Sequence, residues 1–293
     1  MLKRVIALAE EPNVPFSPSG KSFTAVAVNT AAKAGEWIKT KIGAYTKLDL
    51  KYSESDLVTE IDKGSEKLIR SLILTHFPTH SFLGEEGVEP GPLASAKALE
   101  DASGAEYLWI VDPIDGTTNF VHQFPFFSIS IALAYKGEPV IGVVYDPNRD
   151  ELFVAEKGKG AYLHGKRMSV SADAKLSESL LATGFPADRE KALPINMRGL
   201  AAVVPKVRNV RNGGSAALHM AYIAAGRLSG FWEIGLNSWD LAAGTLLIQE
   251  SGGSVTDTAG NPYTLKVRNV LATNGKIHGE LVDTLQQADA TGL

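Results

Sequence analysis

Residues 109–120 read Trp-Ile-Val-Asp-Pro-Ile-Asp-Gly-Thr-Thr-Asn-Phe (WIVDPIDGTTNF), and the reading of this stretch decides the fold. The apolar run Leu108-Trp109-Ile110-Val111 has the pattern of a buried strand. It ends in Asp112 and Pro113, and Asp115-Gly116-Thr117-Thr118 follows. Two carboxylates three residues apart thus stand where a strand gives way to a turn. Carboxylate oxygens are hard ligands suited to Mg²⁺, which keeps positions open for water and phosphate. N–H groups that follow a glycine turn can hold a phosphate oxygen. The same residues also suit a plain strand and turn, because Asp, Pro and Gly are common turn formers. Taken alone, the stretch leaves both readings open.

Upstream, Phe23, Ala27, Ala31, Ala34 and Ile38 recur at helical spacing, and a second helix is expected from Asp62 to near Pro78, with Leu68, Ile69, Leu72 and Ile73 on one face. A short strand, Ser81-Phe82-Leu83, leads into Gly84-Glu85-Glu86-Gly87, and residues 88–106 read as a surface excursion. Downstream, Phe127–Tyr135 alternates and is expected to be a strand with two different faces. Strands at Pro139–Tyr145 and Glu151–Ala155 and a hairpin within Gly158–Ser171 follow in direct succession, which implies antiparallel pairing. The second half returns to mixed patterning. Strands are expected at Ser179–Thr183, Gly230–Ile234, Ser254–Asp257 and Val270–Thr273, and helices at Gly213–Ala225, Trp239–Glu250 and from Lys276. The sequence therefore predicts a mixed α/β chain of two fused lobes, residues 21–160 and 161–293. Pro12, Pro15, Pro18 and Gly20 mark residues 1–20 as a loosely ordered extension.

With 293 residues, 44% hydrophobic and 21% charged, the composition is that of a globular protein. A net charge of −4 argues against nucleic acid as a partner, and the absence of cysteine excludes disulfides, thiolate zinc sites and cysteine nucleophiles. No apolar run approaches bilayer-spanning length. The apolar patch Val5–Ala9 is too short for a signal-peptide core and is cut off by Glu10 and Glu11, so a cytoplasmic location without a membrane partner is expected.

Four more patches share the chemistry of the signature stretch: Asp56 to Asp62, Gly84-Glu85-Glu86-Gly87, Gly213-Gly214-Ser215-Ala216, and Trp239-Asp240 with Glu233 upstream. Each has an ordinary reading as well. Asp62 suits a helix cap, Glu85 and Glu86 a solvated turn, Asp240 a helix N-terminus, and the glycine pair an empty loop. As an ordered set they point to one acidic site.

Together these residues resemble the inositol monophosphatase family of magnesium-dependent, lithium-sensitive phosphatases, over about residues 24–290. The motif of residues 109–120 carries the resemblance, and Trp239-Asp240-Leu-Ala-Ala-Gly244 supports it independently. The resemblance implies a layered αβαβα sandwich, a homodimer, and hydrolysis of phosphate monoesters by water activated on two or three Mg²⁺ ions, with Li⁺ as an inhibitor. It implies metal ligation by Glu85, Asp112, Asp115, Asp240 and the backbone carbonyl of Ile114. Thr117, paired with Asp62, would orient the attacking water together with Glu85. Lys51, eleven residues before Asp62, would lie near the metals. The N–H groups of Gly116 and Thr117 would cradle the phosphate. Gly214, Ser215, Ala216 and Glu233 would contact the alcohol, with Asp115 and Asp240 close by.

The resemblance leaves the substrate open, because one scaffold can serve several phosphate esters. Glu233 and Gly214-Ser215-Ala216 lean toward inositol 1-monophosphate, since a carboxylate can accept hydrogen bonds from ring hydroxyls. Fructose 1,6-bisphosphate, histidinol phosphate, a nucleotide phosphate, or a mainly regulatory binding role are the alternatives. Arg208 and Arg211 could hold a second anion or be plain surface charges. His122 and His219 read as satisfied polar or surface residues rather than metal ligands, because Mg²⁺ prefers oxygen.

Overall fold

Helix α1 (Phe23–Lys39) opens on Ser22, whose hydroxyl accepts the N–H of Ala25 at 3.3 Å, and buries the expected stripe of Phe23, Ala27, Ala31, Ala34 and Ile38. The structure, a computed structural model, describes residues 20, 22–43, 48–50 and 57–292. Lys51 and, apart from Gly20, the N-terminal extension lie outside the described residues. Strands β1 (Leu48–Leu50) and β2 (Leu57–Thr59) pair antiparallel and lead into α2 (Glu60–His76). A capping box of Thr59 and Asp62 starts α2, and Ile61, Ile69 and Ile73 bury one face of it.

The chain continues through β3 (Ser81–Gly84), α3 (Pro92–Ala102), β4 (Tyr107–Asp115), the single-turn α4 (Thr117–Val121), β5 (Ser128–Tyr135), β6 (Glu138–Asp146), β7 (Glu151–Glu156), β8 (Gly160–Leu163) and β9 (Lys166–Arg167). These strands form a seven-stranded sheet in sequence order, antiparallel except for the β3–β4 pair. Then come β10 (Leu180–Thr183), α5 (Ala192–Val203), β11 (Asn209–Arg211), α6 (Ala216–Ala224), β12 (Gly230–Glu233), α7 (Ser238–Glu250), β13 (Ser254–Asp257), β14 (Val270–Thr273) and α8 (His278–Gln287). The second sheet has the order β11-β10-β12-β14-β13, with β10 parallel to both of its neighbours.

Side-chain alternation sets the layers. On β4, Trp109 and Val111 join α1 and α2 in one core, whereas Leu108 and Ile110 join α6 and α7 in another. On β12, Phe231 faces that same α6–α7 core and Trp232 faces α5 and α8. The order is therefore helices α1–α2, seven-stranded sheet, helices α6–α7, five-stranded sheet, helices α5–α8: the expected αβαβα sandwich. Helix α7 lies between the two sheets, and every residue from Ser238 to Ile248 is buried, which is why its sequence is apolar all round.

One expectation needs correction, and the structure adds detail to others. Residues 88–106 hold helix α3, with Pro92 in its first turn and Ser95 and Leu99 buried, rather than a bare excursion. Strand β5 has the two different faces expected, one in each core, and both are buried up to Ala134 because helices cover the sheet on both sides. Helix α5 and edge strand β11 have no counterpart in the sequence reading.

Candidate active site

Residues three apart on a regular strand point to opposite faces. Asp112 and Asp115 nevertheless converge, because β4 carries a bulge: Asp112 stands opposite Ser130 and Asp115 opposite Ser128, so three steps on β4 match two on β5. Pro113, which has no N–H to lose, sits in the bulge. The N–H of Ile114 folds back onto Asp112 Oδ1 at 3.0 Å. One carboxylate oxygen each of Asp112, Asp115 and Asp240 then lie within 4.8 Å of one another.

Two helix N-termini hold the other two carboxylates. Asp115 accepts the hydroxyl of Ser215, the N-cap of α6, together with the N–H groups of Ala217 at 2.8 Å and Ala216 at 3.3 Å. Asp240, in the first turn of α7, accepts the N–H of Asn237 at 2.7 Å. Ser130, opposite Asp112, donates to the carbonyl of Trp239 at 3.0 Å and so ties β5 to the start of α7. Complete burial raises the Asp115 pKa to about 6, even though Ser215, Ala217 and Ala216 act to lower it. Burial and the charges of Glu85 and Asp115 hold Asp240 well above the usual carboxylate range, and Arg268 opposes the shift.

Helix α2 supplies the opposite wall. Asp62 Oδ2 accepts the N–H and the hydroxyl of Thr59, at 2.8 and 2.6 Å, and Asp62 Oδ1 accepts the hydroxyl of Thr117 at 2.9 Å. Thr117 Oγ1 also lies 3.2 Å from the carbonyl of Ile114. Burial raises the Asp62 pKa against three hydrogen bonds that lower it. One helical turn on from Asp62, Glu66 Oε2 accepts the N–H of Glu86 at 2.7 Å and so pins the short turn Glu85–Gly87. The negative charge of Glu85 reaches Asp62, Asp115 and Asp240 and raises the pKa of each.

Gly116 turns the chain from β4 into α4 with φ of 100°. A Cβ there would lie 3.0 Å from the carbonyl of Gly214 and 3.2 Å from that of Phe126, so only glycine fits. The approach brings the signature turn against the Gly213–Ser215 segment. Between them opens a cavity of about 420 Å³, lined by Asp115, Asn119, Gly214, Ser215, Ala216, Glu233 and Asp240, with His122 and Arg189 on its rim. Glu233, at the end of β12, is buried beside Asp240 and Asp115; burial first, and then those charges, push its pKa well above the usual range. A Cβ on Gly184 would lie 2.0 Å from Glu233 Oε2, so this glycine makes room for the carboxylate. A larger cavity of about 560 Å³ lies behind the wall made by residues 184–189 and 235–237. Its two carboxylates, Asp188 and Asp257, are already committed to backbone N–H groups, and the chemistry belongs to the smaller, acidic cavity.

Asp62, Glu85, Asp112, Asp115, Thr117 and Asp240 thus converge, and Gly214, Ser215, Ala216 and Glu233 line the same cavity, whereas Lys51 falls outside the described residues. Ser215 and the Ala216 N–H point at Asp115 as well as bordering the cavity, a supporting part the sequence did not reveal. Glu66, Asn119 and Gly184 were also missed. Glu66 had a signal, since it stands four residues after Asp62 on a helix. Arg208 and Arg211 are exposed, and neither lines the cavity.

The donor set fits a hard divalent cation. Three buried carboxylates, a fourth acid within electrostatic reach and no thiolate make an all-oxygen site, the donor set a hard divalent cation takes.

Known proteins share both the sequence and the fold of this chain. A model of the inositol monophosphatase family matches residues 20–290. Inositol monophosphatase 2 of Solanum lycopersicum is 42% identical over 272 residues, covering 92% of this chain and 100% of that protein. The Nus factor SuhB of Pseudomonas aeruginosa is 40% identical over 264 residues, covering 89% of this chain and 94% of its own length. The solved inositol monophosphatase from Anabaena (Nostoc) sp. superposes with a TM-score of 0.78 at 38% identity, over 90% of this chain and 95% of that one. On the match along residues 20–290 and on these relatives, the protein belongs to the inositol monophosphatase family.

Proposed function

We propose that this phosphate monoester hydrolase is magnesium-dependent and lithium-sensitive, and that it converts inositol 1-monophosphate to inositol and phosphate. The observation that carries the reading is the convergence of Asp112, Asp115 and Asp240 within 4.8 Å, with Asp115 and Asp240 also lining the cavity that holds Glu233. Asp112, Asp115, Asp240, Glu85 and the carbonyl of Ile114 would hold Mg²⁺. When bound, the cations supply positive charge for an anionic ester and lower the pKa of a water.

The remaining work falls to the chain's own side chains. A hydroxyl has one proton and two lone pairs. With its proton given to Asp62, Thr117 keeps a lone pair to accept a hydrogen bond from the attacking water and so aim it. The Asp62 carboxylate is held in turn by Thr59. Gly116 and Thr117 offer N–H groups to the phosphate at the opening of α4. Glu233 and the Gly214–Ala216 segment take the ring hydroxyls of the alcohol, where a carboxylate accepts and backbone groups fix the orientation. Lys51 enters this scheme through the family resemblance alone.

The same proposal places the enzyme in the cytoplasm as a homodimer acting on a small-molecule sugar or inositol phosphate. Among the described residues no helix is long and apolar enough to cross a membrane. Residues 21–160 and 161–293 act as two lobes of one site: Asp62, Glu85, Asp112, Asp115 and Thr117 come from the first, and Ser215, Glu233 and Asp240 from the second.

Phosphate release is the direct test, with inositol 1-phosphate, fructose 1,6-bisphosphate, histidinol phosphate and adenosine 3′,5′-bisphosphate each assayed in Mg²⁺, in EDTA and in Mg²⁺ plus Li⁺. The expected result is fastest release from inositol 1-phosphate, abolished by EDTA and reduced by Li⁺. A different best ester would overturn the substrate assignment, and release that persists in EDTA would overturn the metal assignment.

A further inference from the structure

The backbone N–H and C=O of Gly213, which belong to two successive peptide units, are each held by a side chain from a different part of the fold. Its N–H donates to Nε2 of His219 at 3.0 Å. Its carbonyl accepts from Nδ2 of Asn119 at 2.7 Å, and the same Nδ2 donates to the carbonyl of Phe126 at 2.6 Å. Gly213 lies outside every strand and helix, so these side chains do the work that a ladder partner does elsewhere. The next residue, Gly214, has φ of 80°, and Ser215 caps α6 and donates to Asp115. Whatever fixes Gly213 therefore fixes both the alcohol side of the cavity and a hydroxyl that holds a candidate metal ligand.

Two details show that the local sequence is arranged around this contact. A Cβ on Gly213 would lie 2.4 Å from the ring of Phe126 and 2.9 Å from His219 Nε2, and one on Gly214 would lie 3.0 Å from Asn119 Nδ2. His219 also sits in an apolar place at a cost. Its ring is fully buried between Phe126 and Phe231, with centroids 5.4 and 5.1 Å away, and Nδ1 has no hydrogen-bond partner. An acceptor at Nε2 puts the single proton of the neutral ring on that unpartnered Nδ1. Burial lowers the His219 pKa to about 3, so the ring remains an acceptor at every ordinary pH. Packing alone would be better served by an aromatic hydrocarbon.

We propose that His219 and Asn119 are positioning residues that clamp the Gly213 backbone between them and hold the Gly214–Ser215 turn in the geometry that the alcohol and Asp115 require. His219 stands one turn after Ser215 on α6, and its own N–H bonds the Ser215 carbonyl at 3.1 Å. One helix thus supplies both the cap that touches Asp115 and the ring that steadies the segment entering that cap. The role in catalysis rests on the assignment of this cavity to the substrate, whereas the clamp itself can be read without any substrate.

Amide hydrogen exchange and steady-state kinetics on His219→Phe, His219→Gln and Asn119→Ser test it. Phe keeps the ring and removes the acceptor, and Gln returns an oxygen near the position of Nε2. The expected result is exchange at the Gly213 amide at least about tenfold faster in His219→Phe, near wild type in His219→Gln. KM should rise by about tenfold in His219→Phe with a much smaller change in kcat, and Gln should restore most of it. The double variant with Asn119→Ser should lose less than the product of the single losses, because both side chains hold the backbone of one residue. If His219→Phe does not fold, Asn119→Ser carries the same comparison of exchange and KM. Unchanged Gly213 exchange in the folded variants would overturn the clamp. Faster exchange with unchanged KM on an active enzyme would overturn its part in catalysis. Faster exchange in a protein that hydrolyses no ester would leave the clamp standing and overturn the phosphatase reading instead.

Discussion

The hydroxyl of Thr117 donates to Asp62 Oδ1 across 2.9 Å, joining the turn that follows the acidic strand to the first turn of α2. Because Asp62 also accepts twice from Thr59, it stays in place when the Thr117 hydroxyl is removed. Thr117→Val keeps the shape and loses only the polar group. It should cost about 10²–10⁴-fold in kcat, the usual range for a group that handles a proton in the transition state. Its thermal midpoint should fall little, since one hydrogen bond is worth about 1 kcal/mol. Rate assays beside a melting curve check this, and a Thr117→Val enzyme with wild-type kcat would remove Thr117 from the water-aiming role.

The acidic cluster should make the metal-free protein least stable at alkaline pH. The Asp115 pKa of about 6 lies above its ordinary value of 3.8, so between them the folded state binds more protons than the unfolded state. Stability is therefore highest below about pH 4 for this group and is lost as pH rises through 6; Glu233 and Asp240 act in the same direction. EDTA-treated protein should melt at a lower temperature at pH 8 than at pH 5.5. Mg²⁺ at 100 times its dissociation constant should return about 2.7 kcal/mol at pH 8. Asp112→Asn should stay folded, lose most of that Mg²⁺ effect, and lose more activity than the about 10–100-fold typical of residues that only support a ligand. Equal melting at both pH values with no response to Mg²⁺ would count against the cluster as a cation site.

Gly184 is a sequence-distant control on the alcohol pocket. Its missing side chain leaves the space that Glu233 occupies. Gly184→Ala should displace the carboxylate and raise KM for inositol 1-phosphate by about tenfold or more, as expected when a hydrogen-bonded hydroxyl loses its partner. Release from an ester that lacks ring hydroxyls should change much less. Equal losses on both esters would point to general damage rather than to Glu233.

Most of this site was legible because its chemistry is concentrated in short, ordered motifs. Asp112, Asp115, Thr117 and Asp240 could be found in the chain by residue type, spacing and family resemblance. The reason Asp112 and Asp115 share a face could not, because it depends on a bulge that appears only when β4 pairs with β5. Gly184 and Asn119 were silent for a similar reason: each matters through a residue far away, Glu233 and Gly213 respectively. Helix α3 was hidden by its Gly-Pro start and its few buried side chains, and the alternation of β5 gave its two faces without saying what covers each.

The burial of α7 along eleven consecutive residues bears on how such an enzyme can diversify. Asp240 begins a helix locked between two sheets, and Asp112 lies on a strand covered on both sides, so the acidic half of the site has the least freedom to drift. The side proposed to meet the alcohol combines the fixed Glu233 and Gly214–Ala216 with loop positions Phe185, Arg189 and Asn212, and it is in such loops that substitutions are tolerated best. Lineages built on this frame can therefore exchange one ester for another by editing those loops while the hydrolytic step is inherited intact, and directed selection for a new substrate should begin there.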